Sequence, residues 1–253
     1  MIARIDVADW LRAHPSPLDR ERYFRAGSQS QFFGVEKEVL FWKLPNFLLE
    51  PQELLDQAKK ARSFQAVVLD LRGDPGGRLD AVQALIGEFF DHDVKIGDEK
   101  TRKGLKAFVA KGRGKSAIGA KLIVLIDSES ASGAEVFART IQLEKRGIVL
   151  GDRSSGMVMT GNLFVHTVEV KDWYLAQYGA SITVADLIMP DGKRLENVGV
   201  TPDEIILPSA PDLAAGLDPV LAQAASLAGV EMSSQKAGSL FQSKWPDKPL
   251  EIH

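Results

Sequence analysis

Ala66-Val67-Val68-Leu69-Asp70-Leu71-Arg72-Gly73-Asp74-Pro75-Gly76-Gly77 is the stretch from which the rest of the chain can be read. Its first half is apolar without alternation, the pattern of a strand buried on both faces in a parallel or mostly parallel sheet. Its second half is a polar turn ending in two glycines. The apolar positions that follow, Leu79, Val82, Leu85, Ile86 and Phe89, step by three and four residues and make one stripe of a helix. Strand, turn and helix then recur: Leu122 to Ile126, the turn Asp127 to Ser132, and a helix from Gly133 to about Leu143 with Val136, Phe137 and Ile141 toward a sheet. Upstream, Val39 to Leu44 reads as a strand and Pro51 to Arg62 as a helix; downstream, Ile148 to Leu150 reads as a third short strand running into Gly151-Asp152-Arg153-Ser154-Ser155-Gly156. Alternating strands and helices predict an α/β fold, a layered β-sheet core with flanking helices.

Ser181 to Met189 and Val198 to Leu207 read as further strands around the turn Pro190-Asp191-Gly192, and an alanine-rich helix follows Pro208 to about Leu227. Three segments result. Residues 1–35 are too few to bury a core of their own and read as an appendage or the remnant of a preceding domain; 36–208 form the α/β core; 209–253 form a helical extension and tail. The tail around Phe241 and Trp245 is suited to cover the core or a partner subunit, which leaves room for a homo-oligomer.

Composition narrows the function. The chain has 253 residues, 45% hydrophobic and 26% charged, and 31 basic against 34 acidic residues leave a net charge of -3. With no basic surplus, nucleic acid is a poor partner. With no cysteine there is no disulfide, thiolate metal site or cysteine nucleophile. No apolar run approaches the roughly 20 residues that span a bilayer, so no membrane insertion is expected. Asp91-His92-Asp93 is too compact to aim three ligands at one ion, and no metal is expected. Gly112-Arg113-Gly114-Lys115-Ser116 resembles the end of a phosphate loop, but Val109 stands where that motif needs its first glycine and no strand directly precedes it, so it reads as a solvated basic loop.

Three polar turns follow apolar strands, and in a parallel sheet the strands' carboxyl ends share one edge, where active sites collect. Gly76 and Gly77 can bring bare backbone N–H groups close to an oxyanion, or can simply make a tight turn. Ser132 opens a helix, with a glycine after it. Alone it suits an N-cap; it also suits a nucleophile, because the helix dipole and the next amide stabilise charge developing on an attacked carbonyl.

The blocks Val67 to Gly77, Leu122 to Ile126 with Ser130-Ala131-Ser132-Gly133-Ala134-Glu135, Gly151 to Gly156, and Glu196-Asn197-Val198-Gly199-Val200-Thr201-Pro202-Asp203 resemble, in order, those of the C-terminal processing (tail-specific) and tricorn-core serine peptidase family. The resemblance runs from about Val39 to Pro208. It implies the layered core shared with Clp protease and crotonase, Ser132 as nucleophile, and an oxyanion hole from the amides of Gly133 and Gly76, with Gly77 as a further candidate. It implies peptide or unfolded-protein substrates, no cofactor, and a longer bacterial parent that is exported to the periplasm. Two departures stand out. Met157 and Gly161 occupy the places of the processing branch's lysine base and its glutamine, and neither takes a proton, which excludes a Ser/Lys dyad. Asp74 replaces the usual asparagine and is expected to bring negative charge near the pocket.

The tricorn-like branch takes its base, a histidine, from an N-terminal segment, and its supporting glutamate matches Glu196. Of the four histidines, His14, His92, His166 and His253, none fits that motif; His14 fits best by position, and the base is expected upstream of the chain as given. The leading expectation is therefore a serine peptidase acting through an acyl-enzyme on Ser132 with Glu196 in support. The alternatives are a catalytically inactive peptide-binding or scaffold module of this fold, and a crotonase-like acyl-CoA enzyme in which Ser132 is incidental.

Overall fold

The computed structural model describes residues 29–171 and 174–241. Strands β1 (Gln31–Val35), β2 (Val39–Lys43), β3 (Ala66–Asp70), β6 (Lys121–Ile126), β7 (Gly147–Gly151) and β10 (Glu204–Ile205) form one six-stranded sheet in the order β1-β2-β3-β6-β7-β10. All neighbours are parallel except the β1–β2 pair. Helices α1 (Pro51–Ala58), α2 (Leu79–Glu88) and α3 (Gly133–Leu143) follow β2, β3 and β6.

The sheet is apolar on both sides, as the unbroken hydrophobic runs require. Leu40, Trp42, Val67, Leu69, Leu122 and Val124 pack with Leu54, Val82, Leu85, Phe137 and Ile141 of the three helices. The alternate residues Val39, Phe41, Val68, Ile123 and Leu125 pack with Val220, Leu221, Ala224 and Ala225 of helix α5 (Pro219–Ala228). Helix α4 (Ala210–Ala214) precedes α5, and α6 (Ser234–Gly238) adds Ala237 to the same layer. Each fully buried large side chain stabilises the fold by roughly 1.5–3 kcal/mol, so both faces contribute. The expected α/β layers are present: helix, sheet, helix.

Beside this core lies a four-stranded antiparallel sheet, β5-β4-β9-β8, built from β4 (Val94–Thr101), β5 (Gly104–Ala110), β8 (Thr160–Lys171) and β9 (Tyr174–Ile188). The β4–β5 hairpin turns through Arg102 and Lys103. It was not legible in the sequence because its outer half, Lys100 to Ala107, is exposed on both faces and shows no buried-face pattern. The strand β5 leads toward Gly112 to Ser116, where the sequence pattern suggests none, while the segment itself is a largely exposed loop with a 3-10 turn at Gly114–Ser116.

Three other expectations need correction. The strand read over Val198 to Leu207 shrinks to Glu204–Ile205, because Asn197 (φ 60°) and Gly199 (φ 74°) turn the backbone left-handed. The helix expected to Leu227 is two helices, broken where Gly216 takes φ 66° and Asp218 caps α5. Within the segment read as an appendage, β1 is an edge strand of the main sheet. No described helix is long and apolar enough to cross a membrane.

Candidate active site

The ends of β3, β6 and β7 are in register, Asp70 beside Leu125 and Ile126 beside Gly151, so the three polar turns emerge side by side. The first two interlock. Ala131 N donates to Asp74 O at 2.8 Å, Gly73 N donates to Asp127 Oδ1 at 2.9 Å, and the buried Ser130 hydroxyl donates to Leu71 O at 2.9 Å. Gly76, at φ 90°, lies so close to the second turn that a Cβ there would stand 2.6 Å from both Gly133 N and Ser132 Cβ.

Ser132 precedes α3 with φ 52° and ψ -113°, far from the extended backbone with which a serine usually caps a helix, although it and Glu135 occupy the two positions of a capping box. A positive φ at a residue with a Cβ costs of order 1–3 kcal/mol and persists only where its surroundings impose it. Here the surroundings include Glu135, fully buried on the first turn of α3. Its Oε2 accepts from Ser132 N (2.9 Å) and Met157 N (3.0 Å), and its Oε1 accepts from Ser154 Oγ (2.6 Å) and Gly156 N (2.7 Å). One carboxylate thus ties the serine to the third turn. Sequence reasoning gave Glu135 no role, although a glutamate three residues after a helix-opening serine is a capping-box signal. Ser154, also without an assigned role, accepts from Val200 N at 2.6 Å and links the turn to the Val198–Val200 block.

The amides sort themselves by what they already bond. Gly76 N donates to Asp74 Oδ1 at 2.7 Å, which takes it out of any oxyanion hole and corrects its expected role. Gly77 N and Gly133 N donate to no other group among the described residues. The glycine at 77 is itself required, because a Cβ there would meet the Phe47 carbonyl carbon at 2.4 Å.

Asp74 does not bring the expected negative charge at neutral pH. The residue is wholly buried, and that burial pushes its carboxyl up to about 8 against the opposing pull of the Gly76 amide and Lys43. Its neighbour Asp70 behaves oppositely. Burial alone would raise it, but Arg72 and Lys43 hold it well below the usual carboxylate range. Arg72 Nη2 bridges Asp70 Oδ2 (2.8 Å) and Asp218 Oδ2 (2.7 Å), fastening α5 to the end of β3.

Glu196 accepts through Oε2 from Val158 N (2.7 Å) and Met159 N (3.1 Å), anchoring the entry to β8. The exposed Met157 shares the Glu135 carboxylate with Ser132. His92 lies beyond the far end of α2, roughly 15 Å along that helix from the glycine turn, paired with Asp91 at 2.7 Å. His166 stacks on Tyr178 in the β8–β9 hairpin, 5.4 Å between ring centres. His14 and His253 lie outside the described residues. No cluster suited to a metal ion occurs among the described residues.

Known proteins are similar to this chain in sequence and in fold. The chain is 27% identical over 196 residues to a carboxy-terminal-processing protease of Bartonella bacilliformis, covering 75% of this chain and 43% of that one. It is 27% identical over 139 residues to a carboxyl-terminal-processing protease of Synechocystis sp., covering 55% of this chain and 30% of that one. Among solved structures, the photosystem II D1 C-terminal processing protease superposes with a TM-score of 0.52 at 25% identity, over 68% of this chain and 43% of that one. The chain thus spans less than half the length of each of these relatives. Residues 39–206 match Peptidase family S41, a span that holds all three turns, Ser132, Glu135 and Glu196, and the chain belongs to that family.

Proposed function

We propose that the protein is a serine peptidase that cleaves unfolded or C-terminal polypeptide segments through an acyl-enzyme on Ser132. The observation that carries this reading is the backbone of Ser132, held at φ 52° where an 11-residue helix begins and packed against a glycine turn that tolerates no side chain. Ser132 Oγ attacks the scissile carbonyl, and the unpaired amides of Gly133 and Gly77 receive the oxyanion, with the positive end of α3 behind them. The amine leaves with a proton, and water then releases the acyl group. The proton acceptor is supplied from outside the described residues. Glu196 Oε2 is occupied by backbone amides, which leaves Oε1 to orient an incoming imidazole.

The test is labelling of the full-length protein with a fluorophosphonate, together with cleavage of a denatured reporter protein. Labelling at Ser132 and loss of both activities in Ser132→Ala support the reading. An intact parent that is neither labelled nor active defeats it, and acyl-CoA binding that survives Ser132→Ala supports crotonase-like chemistry instead.

A further inference from the structure

Among the described residues, the three buried carboxylates other than Asp74 are matched by cations or by several donors. Asp70 has Arg72 and Lys43, Glu88 has Arg62 and Arg113, and Glu135 has four hydrogen-bond donors. Asp74 has a single hydrogen bond, from Gly76 N to Oδ1, and its Oδ2 is buried with no partner. Yet its position is central. Its backbone oxygen holds Ala131, the residue before Ser132, and its side chain holds the amide of Gly76, the residue packed on Ser132 Cβ.

We propose that Asp74 is a positioning residue of the oxyanion pocket, and that the pocket accepts an oxyanion only while this carboxyl is neutral; this rests on the reading of Ser132 as nucleophile. Asp74 Oδ1 accepts from Gly76 N in either protonation state, which leaves Gly77 and Gly133 as the donors, but only the neutral form does so without adding charge to the turn. When the carboxyl loses its proton to solvent, a negative charge with one unpartnered oxygen appears in a desolvated turn, three residues from the Gly77 amide. Charge developing on the substrate oxygen is then opposed by a like charge, where screening by water is weakest. The result is a fall in acylation on the alkaline side, opposite to the rise produced by deprotonating a general base.

The charged groups around Asp74 are few. Lys43, at the end of β2, favours the ionised form. On its own segment Asp70 and Arg72 neutralise each other, with Asp218 of α5 on the far side of Arg72. Arg78 is taken by Asp80 and Glu50. From the β6–α3 turn come Asp127, bonded to Gly73 N, and Glu129, whose Oε2 would lie 3.7 Å from a Cβ at Gly73; Glu135 closes the circle from α3. None of these side chains hydrogen-bonds Asp74, so Lys43 is the handle by which its titration can be moved.

The experiment measures the rate of Ser132 labelling by a fluorophosphonate in the full-length protein between pH 6 and pH 10, for wild type, Asp74→Asn and Lys43→Met. The wild-type rate is expected to fall with a midpoint near 8, Asp74→Asn to show no alkaline fall, and Lys43→Met to move the midpoint upward. An alkaline fall that persists unshifted in Asp74→Asn overturns the proposal. So does a wild-type rate with no fall, or a folded Asp74→Asn protein that is unlabelled at every pH. If Asp74→Asn does not fold, Lys43→Met decides alone: a midpoint that stays or moves down overturns the proposal. Wild type unlabelled at every pH refutes the serine reading itself, an outcome distinct from labelling that lacks the pH dependence.

Discussion

Asp74 ionises at an ordinary 3.8 when unfolded and only at about 8 when folded. Between those values the native state holds a proton the unfolded chain has lost, so this residue's contribution is intact below pH 3.8 and is eroded as pH rises toward 8, by about 1.4 kcal/mol per unit. Asp74→Asn is therefore expected to be more stable than wild type at pH 8, with the difference shrinking steadily toward pH 4. Urea denaturation at several pH values measures this directly, and a pH-independent difference contradicts it. Gly76 presents the opposite case. At φ 90°, with Ser132 Cβ 2.6 Å from where its own Cβ would stand, Gly76→Ala is expected to lose roughly 1–3 kcal/mol of stability and most Ser132 labelling together. The glycine pair could be read in the sequence, but which glycine had its amide engaged could not, since that depends on the fold of a carboxylate two residues away.

At the scale of elements, Glu135 and Arg72 join segments that are far apart in the chain. Removing Glu135 strands the donors of Ser132, Ser154, Gly156 and Met157, each at a cost of roughly 1–3 kcal/mol where water cannot replace the carboxylate. Glu135→Ala is expected to destabilise the protein by several kcal/mol in denaturant melts and to speed amide hydrogen exchange at Gly156 and Met157. Protection equal to wild type at both amides would falsify the coupling. Arg72 neutralises the buried Asp70 and holds Asp218, the cap of α5. Arg72→Ala leaves Asp70 buried with only Lys43 for company, an arrangement expected to cost about 3–5 kcal/mol. Because the folded-state pKa of Asp70 is depressed, the stability from this network is present above its unfolded value of 3.8 and is lost as pH falls below it. The mutant's deficit should accordingly narrow in acid, as measured by thermal melts at pH 3 and pH 7.

At the scale of the whole molecule, α5 and α6 cover one face of the main sheet, and Phe41, Val68, Ile123 and Leu125 depend on that cover. Truncation after Pro208, two residues past the end of the family match, is expected to yield insoluble protein or a species that binds a hydrophobic dye; a soluble, cooperatively folding product would contradict a structural role for the C-terminal helices. The boundary read in the sequence at residue 208 thus separates the matched span from its cover, while the two remain one packed unit in the sheet.

The chain order of apolar runs and glycine turns determined the α/β layers, the parallel central strands and the convergence of three turns on one sheet edge, because doubly buried strands and amphipathic helices leave local patterns. The block Ser130 to Glu135 carried the family in the same way. The exposed β4–β5 hairpin left no such pattern, and the left-handed turns at Asn197 and Gly199 broke a strand that residue types alone favoured. Only the tertiary structure decided that Gly77 keeps its amide open while Gly76 spends its own, that Glu135 fastens Ser132 to Met157, and that burial raises the Asp74 carboxyl. Each of those depends on burial and on partners brought together by folding, and neither is encoded in a residue's neighbours along the chain.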